Sequence, residues 1–290
     1  MIETSTVVRY ALVVLVLIVI LGLVFCACSN DGSCEKSKKK CKKDVDSSDV
    51  ASTWFELLYD IVKTEGLSPP IAARLYALVA IALYESVVSS NTNYRSLNKQ
   101  LNGFKLDCKT SHQKCVCWPL AASTAISHSI LSLVSNLSLP SQTLVHELQQ
   151  SFETEFAFDS ASASIAFGSS TSAQVVQWAS TDGLAQLNNC TYQSTVIPGA
   201  WEPTPPAFNP NPLQPCWGQL RPMVLQFGQQ FPPPGPPPFS IVTTSAFYAA
   251  ALEVYQLTPL TAEQQLIANF WTDNASLSGT PPGHWIAIVS

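Results

Sequence analysis

Proline constrains the fold of this chain more than any other residue type, because most of it is concentrated in one place. Fourteen of the 21 prolines fall within residues 198–238. Proline lacks an amide hydrogen and fixes φ, so this run can form neither a helix interior nor a sheet interior. We predict an ordered, extended loop packed across the helices, because a disordered linker does not need large aromatic side chains. Those side chains are Trp201, Trp217, Phe227, Phe231 and Phe239.

Most of the remaining sequence has the apolar periodicity of α-helices, and no stretch alternates as a half-buried strand does. Trp54, Leu58 and Ile61 recur at helical spacing, and Gly66 supplies a stop signal. We therefore predict an all-α fold, a helical bundle with the proline-rich loop laid over it. Further helices are predicted at residues 71–88, 120–134, 141–156, 160–187, 245–257 and 261–271, the last opening with a capping-box pair, Thr261 and Gln264.

The helix at residues 71–88 is apolar around nearly its whole circumference, which is typical of a buried bundle helix or of a membrane span. Arg74 and Glu85 lie near its two ends. Ionisable residues are expensive inside a bilayer, so these two residues and the high alanine content favour the bundle core.

The N-terminal segment predicts a membrane anchor. Residues 10–28 form a run of nineteen residues without a charge, which as a helix would be about 28 Å long, close to the thickness of a bilayer core. A cleaved signal peptide has a shorter apolar core and a small-residue cleavage site, so an uncleaved transmembrane helix in contact with membrane lipid is favoured. We divide the chain into an anchor at residues 1–28, a lysine-rich spacer at 29–49 and a helical domain at 50–290.

Two signals disagree about the side of the membrane. Six lysines between residues 36 and 43 follow the anchor, and the positive-inside rule would place the domain in the cytoplasm, with Cys26 and Cys28 as palmitoylation candidates. Cysteines in loop-like stretches of the domain favour disulfides in a lumenal or extracellular location instead, which is the side we predict. These cysteines are Cys108, Cys115, Cys117, Cys190 and Cys216, and three glycosylation triplets begin at Asn136, Asn189 and Asn274.

The charge distribution excludes one class of partner. The net charge is −5, and Arg221 is the only Lys or Arg after Lys114. Binding of nucleic acid requires clustered Lys and Arg to neutralise phosphates, so we predict no nucleic-acid partner.

No catalytic constellation emerges from the residues alone. His112, Cys115 and Cys117 are residue types that commonly bind metals. Their spacing is not that of a structural zinc site, and a disulfide loop or free thiols explain them better. His128 and His146 are isolated within helices. Glu153, Glu155 and Asp159 form an acidic patch that is typical of a solvated helix end. The nucleophile elbow, the P-loop and the dinucleotide fingerprint are all missing from the sequence.

Three stretches together resemble a known family. They are residues 68–85 (SPPIAARLYALVAIALYE), residues 198–206 (PGAWEPTPP), and the motif FWTD at 270–273 running on to PPGHW at 281–285. Residues 217–223 (WGQLRPM) and 230–234 (QFPPP) fall in matching order. Over about residues 50–288, this combination resembles the N-terminal half of the vanadium-dependent haloperoxidases, relatives of the type-2 phosphatidic acid phosphatases.

The resemblance implies an all-helical bundle and a vanadate group that binds peroxide and oxidises halide to a hypohalous species. An oxyanion site of this kind needs cations and N–H donors around three oxygens, and a histidine on the metal. In the family these come from a Lys seven residues before an Arg-Pro, from Ser-Gly-His, and from an Arg six residues before the ligating His.

This chain departs from that pattern at every motif. Gln214 stands seven residues before Arg221-Pro222, Ser278-Gly279 is followed by Thr280, and no arginine has a histidine six residues on. We therefore predict no catalytic, cofactor-binding or metal-binding residue in the chain. Vanadate is expected only for a complete family member.

The C-terminal sequence predicts a helix that begins at Pro281-Pro282-Gly283 and runs for two turns at most. We therefore expect a catalytic half to follow beyond residue 290. His284 and Trp285 are candidates for the entrance of the complete site, as are Trp201 and Trp217 in the aromatic–proline loop. The alternative for His284 and Trp285 is a plain helix start and packing anchor.

Three functions are consistent with these features. The chain would be the non-catalytic N-terminal part of a membrane-anchored haloperoxidase-like protein, partnered by the missing half or by a second copy. It would otherwise be a catalytically dead, membrane-tethered interaction module. A relative of the lipid or acid phosphatases is the third hypothesis, because phosphate and vanadate are bound alike.

Overall fold

The computed structural model describes residue 41 and residues 47–107, 116–156, 161–187, 190–193, 195 and 197–289. The predicted anchor at 10–28, most of the spacer, and His112, Cys108, Cys115, Asp159 and Asn189 lie outside the described residues. Within the described ranges the chain is all helical, without a strand, as the periodicity predicted. Among the described residues, the α-helices are α1 (Ser47–Thr64), α2 (Pro69–Val87), α3 (Trp118–Leu133), α4 (Leu139–Glu155), α5 (Ala161–Ala179), α6 (Leu184–Leu187), α7 (Ala246–Gln256), α8 (Ala262–Phe270) and α9 (Thr280–Val289).

Helix α3 is the centre of the bundle and packs against α1, α2, α4 and α5. Its middle is buried on every side because small residues such as Ala121, Ala122 and Ser123 let neighbouring helices approach closely. The closest approach is to α5 at Gly168, where an added Cβ would overlap the carbonyl oxygen of Ala121 and lie 2.9 Å from Thr124 Cβ. The core therefore depends on small side chains at the α3–α5 contact.

Helix α2 is long and apolar enough to cross a membrane, but more than half of its most apolar stretch is buried inside the bundle. Pro69 and Pro70 occupy its first turn, where missing amide hydrogens cost nothing. Glu85, near its end, is buried and accepts hydrogen bonds from the Ser96 hydroxyl and the Leu97 amide. These contacts fit the predicted role of a bundle-core helix.

The end of α1 is joined to the start of α4 through one carboxylate. Gly66 ends the α1 region with φ of +62°, a conformation that glycine adopts without strain. Glu65 accepts hydrogen bonds from the hydroxyls of Ser138 and Ser141, at 2.6 and 2.5 Å. Ser138 is also the N-cap of α4 and accepts from the Ser141 amide. The Glu65 carboxylate thus holds the cap of a different helix.

The structure corrects the single helix predicted at residues 160–187. It is divided into α5 and the short α6 by a turn at Asp182-Gly183. Gly183 has φ of +103°, and the Asp182 carboxylate accepts from the Leu184 amide to start α6. A polar residue followed by glycine is a turn signal, and it overrides the apolar periodicity on either side.

The proline-rich segment is extended, as predicted, with a short 3-10 helix at Trp217–Gln219. It is attached to the bundle by polar and apolar contacts: the Asn102 side chain donates to the Pro222 and Leu225 carbonyls, and Met223 packs against the apolar core. The Phe239 ring contacts Phe247 of α7, with centroids 5.1 Å apart. Four aromatic side chains of the segment still keep exposed surface: Trp201, Phe227, Phe231 and Phe239.

The last three long helices leave much apolar surface uncovered. None of the residues of α7 or α8 is buried, although the predicted Thr261–Gln264 capping box is present. Helix α9 packs on α1 and α2 but is exposed at its end, and it is longer than the two turns predicted. We call the exposed large side chains of these helices the apolar α7–α9 face: Val254, Tyr255, Leu266, Ile267, Phe270, Trp271, Trp285, Ile288 and Val289.

Two disulfides join distant parts of the described chain. Cys41 is bonded to Cys117 at the start of α3, and Cys190 to Cys216 in the proline-rich segment. Cys117 is therefore not available as a thiolate, which removes one ligand of the metal-like triplet His112, Cys115 and Cys117.

Gly168→Ala should destabilise the bundle by about 1–3 kcal/mol, because the new methyl group meets backbone that cannot move aside. The steric cost should exceed the roughly 1 kcal/mol by which alanine stabilises a helix relative to glycine. Urea unfolding monitored by circular dichroism measures it. Gly218→Ala is the control, since no atom lies within 4 Å of a Cβ there. Equal stability of the two variants would contradict the close α3–α5 contact.

Glu65→Gln should make the free energy of unfolding less sensitive to a fall in pH. Burial acts to raise the pKa of Glu65, but hydrogen bonds from Ser138 and Ser141 outweigh it, and the pKa lies below its ordinary value. A lowered folded-state pKa gives stability that is present above the unfolded-state pKa and is lost as pH falls through the folded one. Unfolding free energies between neutral and acidic pH should therefore fall less for this variant than for the wild type. Glu147→Gln, on the exposed side of α4, should leave the pH profile unchanged.

Candidate functional site

The densest cluster of aromatic and titratable side chains forms where α8 ends and α9 begins. His284 Nδ1 lies 3.2 Å from Asp273 Oδ1, and the two side chains are 11% and 12% exposed. The His284 ring stacks on Trp271, with centroids 4.9 Å apart and planes 15° apart. Phe270 meets the same ring edge-on at 5.2 Å. We call these four residues the His284 cluster.

The pairing with Asp273 determines what His284 can do. A carboxylate oxygen accepts hydrogen bonds, so a hydrogen on Nδ1 satisfies this contact and leaves Nε2 as the second polar atom of the ring. Nε2 is buried, and so is the Thr280 hydroxyl; neither has a partner in the described part of the chain. A buried polar atom without a partner costs free energy. The site therefore presents two buried polar atoms, His284 Nε2 and Thr280 Oγ1, without a partner among the described residues.

Two tyrosines fix the position of this cluster against the bundle. The Tyr76 hydroxyl donates to the Gly279 carbonyl at 3.2 Å. Burial, with Tyr59 and Asp60 nearby, raises the pKa of Tyr76 far above its ordinary value, so the phenol remains a donor. A Cβ at Gly279 would overlap the Tyr59 ring, and one at Gly283 would lie 2.7 Å from Tyr76 Oη. The glycines before and within PPGHW thus allow α9 to sit directly on α1 and α2.

The structure brings together two of the four predicted entrance residues. Trp285 adjoins His284, with ring centroids 6.1 Å apart. Trp201 instead packs edge-on against Tyr192, at 5.6 Å. Trp217 is half-buried in the 3-10 helix beside the Cys190–Cys216 disulfide. Among the described residues, neither tryptophan has a ring contact with the His284 cluster.

The FWTD motif contributes three residues to the His284 cluster, although the sequence alone predicted no role for them. Phe270, Trp271 and Asp273 lie at one end of the α8–α9 connection and His284 at the other. The available signal was an acidic residue directly after two aromatics, with a histidine among small and aromatic residues eleven positions later. Only the turn at residues 274–279 shows that the two motifs meet.

Arg74 and Arg221, the two arginines near the end of α5, already bind groups of the protein. Arg74 Nε lies 2.6 Å from Asp182 Oδ2, with side chains 10% and 11% exposed, and Nη2 donates to the Ala179 carbonyl. Arg221 donates to the Thr181 hydroxyl at 2.9 Å and to the Trp178 carbonyl at 2.8 Å. Its guanidinium also lies 5.1 Å from the centre of the Trp178 ring. Both arginines therefore bind carbonyls at a helix C-terminus, where positive charge is favourable.

The described residues do not fit a vanadate group. Arg221 is turned to the end of α5, and Gln214, in the place of the family's lysine, exchanges hydrogen bonds with Ser68 at 3.0 and 2.8 Å. The Ser278 hydroxyl accepts from the Thr280 amide at 3.0 Å, in a turn that opens α9. An oxyanion with three oxygens to neutralise finds no group of free cations among the described residues.

The other candidates from the sequence remain apart from the His284 cluster. His128 and His146 are exposed on α3 and α4, and Glu155 is exposed near the end of α4. Within the described ranges, no group of three potential metal ligands is close enough to hold an ion. An open groove of about 1010 Å³ runs between residues 103–107 and α5. It is lined by none of the four predicted entrance residues.

Asp182→Asn should cost about 3 kcal/mol of stability, because it leaves the Arg74 guanidinium buried without its counter-charge. Thermal and urea unfolding measure this loss. Glu202→Gln removes the same charge at an exposed position and should change stability by less than about 0.5 kcal/mol. Similar losses in both variants would show that the Arg74–Asp182 pair does not hold α2 to the end of α5.

Comparison with known proteins agrees with this architecture. No family profile matches the sequence, and no curated protein matches it. Among solved structures, the chain matches one described as the first bacterial vanadium-dependent iodoperoxidase, at 30% sequence identity with a TM-score of 0.70. The match covers 85% of this chain and 61% of the iodoperoxidase chain, so the chain spans about three fifths of the length of that protein. The chain therefore has a vanadium haloperoxidase-like fold.

Proposed function

We propose that this chain is the non-catalytic, N-terminal helical part of a membrane-anchored haloperoxidase-like protein. The observation that carries the proposal is the match to the iodoperoxidase over 85% of this chain, combined with cations that are already engaged in the bundle. The complete enzyme would use vanadate and hydrogen peroxide to oxidise halide. In this arrangement the chain provides scaffold and entrance, and a second part provides the oxyanion site.

The apolar α7–α9 face supports the need for a second part. Leu266 is 71% exposed, Val254 70% and Trp285 62%. Many large apolar side chains exposed on neighbouring segments of a chain are typical of an interaction site. The partner we propose is a helical polypeptide that carries the cations of the oxyanion site. Residues 50–290 of this chain have 8 Lys and Arg against 14 Asp and Glu, a net charge of −6. A second copy of this chain would cover apolar surface but would add the same net negative charge.

His284 is the residue through which this part would contribute to the entrance. Its Nε2 atom is buried and unpaired in the described chain, beside the exposed Trp285. A polar group on the second part, or on a substrate, would pair with that atom once the side chains covering it move. Asp273 and Trp271 keep the ring in place, so their role would be positioning.

The anchor completes the proposal. Residues 10–28 would cross the membrane as a single helix in contact with lipid, with the bundle on the lumenal or extracellular side. The two disulfides of the described chain support that side, because disulfides persist in oxidising compartments.

A tethered interaction module without enzymatic activity is the second candidate. The same apolar α7–α9 face favours it, since such a face binds a partner whether or not that partner is catalytic. In this case no added polypeptide would produce halide oxidation.

Complementation separates the two functions. The chain alone should show no vanadate-dependent oxidation of iodide or bromide by peroxide. Mixing or fusing it with the part of the iodoperoxidase that has no counterpart here should produce this activity, because we expect the vanadate-binding motifs of the family to lie in that part. A phosphatase assay without peroxide tests the phosphatase hypothesis in the same samples.

The contact surface can be tested within the same experiment. Leu266→Asp and Ile267→Asp should prevent complementation while leaving the melting temperature unchanged, because both side chains are exposed. Leu144→Asp, exposed on α4, is the matched control and should complement normally. Vanadate-dependent oxidation by the chain alone would overturn the proposed function.

A further inference from the structure

Two of the three Asn-x-Ser/Thr triplets meet at one end of the bundle, although they are far apart in sequence. The first, Asn136-Leu137-Ser138, lies between α3 and α4, and its Ser138 hydroxyl donates to Glu65 at 2.6 Å. The second, Asn274-Ala275-Ser276, lies between α8 and α9. Ser276 Oγ lies close to Gly66, the residue after Glu65, and would be 2.6 Å from a Cβ added to that glycine. Both triplets therefore flank the turn that ends α1.

Both asparagines have the surroundings that an attached sugar requires. Asn136 and Asn274 are exposed, and each lies in a connection between helices. Neither side-chain amide makes a hydrogen bond to another described residue. A large, hydrated group on either Nδ2 atom would therefore extend into solvent, and the fold would lose no contact.

We propose that the chain enters a secretory pathway with its bundle on the lumenal side and carries N-linked glycans at Asn136 and Asn274. The proposal rests on the anchor and orientation in the proposed function, and not on the proposed halide chemistry. Two independent features support it: disulfides at Cys41–Cys117 and Cys190–Cys216, and two exposed triplets at the same end of the bundle. About two triplets are expected by chance, so exposure and convergence carry the argument rather than their number.

The reaction is a group transfer from a lipid-linked oligosaccharide. Asn Nδ2 forms a bond to C1 of the first sugar and loses one proton. The bond from C1 to the polyprenyl diphosphate oxygen breaks, and the diphosphate leaves with the electron pair. The donor belongs to the secretory compartment, so a bundle on the cytoplasmic side would not be modified.

The two sites differ in when they can react. In the folded chain the Ser138 hydroxyl is held by Glu65 and caps α4, so Asn136 must be modified before that cap forms. Ser276 is exposed, so the Asn274 triplet remains accessible after folding. Modification of Asn274 should therefore be less sensitive to the rate of folding.

The test is production of the full chain in eukaryotic cells, followed by treatment with an endoglycosidase that removes N-linked glycans. The Asn189→Gln variant should show a two-step mobility shift, and Asn136→Gln or Asn274→Gln added to it should each remove one step. Ser276→Ala should remove the Asn274 step while the asparagine stays in place. Asn209→Gln, an exposed asparagine followed by proline, is the matched control and should change nothing.

A second form of the protein separates the causes of failure. In it, residues 1–28 are replaced by a cleavable secretory signal. Modification of this form but not of the natural chain would overturn the lumenal orientation. No modification of either form would overturn the two sites. Neither result bears on complementation of halide oxidation, so failure here is distinguishable from failure of the catalytic proposal.

Discussion

Positive charge at the carboxyl end of α5 holds the described structure together. Arg74 reaches this end from α2, and Arg221 reaches it from the proline-rich segment. Asp182 neutralises Arg74 and also starts α6, while its carbonyl accepts from the Arg221 amide at 2.9 Å. A helix C-terminus presents unpaired carbonyls that favour cations. The bundle core, the α5–α6 turn and the long extended segment are therefore all joined at one small polar centre.

The same centre explains why a haloperoxidase-like fold need not contain a haloperoxidase site. Oxyanion binding requires cations whose N–H groups are free to point at the ligand. Here Arg221 directs Nη1 at Thr181 and Nη2 at Trp178, its buried Nε has no partner among the described residues, and Gln214 pairs with Ser68. At this centre the guanidinium serves to attach a loop, while the fold remains haloperoxidase-like.

Local sequence signals predicted the helices well, because α1 to α5 have apolar periodicity, Pro69-Pro70 opens α2 and Gly66 follows the end of α1. Apolar periodicity failed at Asp182-Gly183, where the local turn signal overrides it and the ion pair with Arg74, 108 positions away, holds the turn. The ordered, extended form of the proline-rich segment was predicted, but its attachment through Asn102 was not. The FWTD and PPGHW motifs marked the right segments. The Asp273–His284 pair itself depends on a turn between them, which local signals do not describe.

The disulfide between Cys41 and Cys117 determines how mechanical force would pass through the molecule. It joins residue 41 directly to the first turn of α3, across a separation of 76 residues. Tension applied to the chain before Cys41 is therefore transmitted by a covalent bond to the central helix. Helices α1 and α2 lie inside the closed loop, so the covalent path of the force bypasses them. After reduction of this bond, the same tension would enter the start of α1 first.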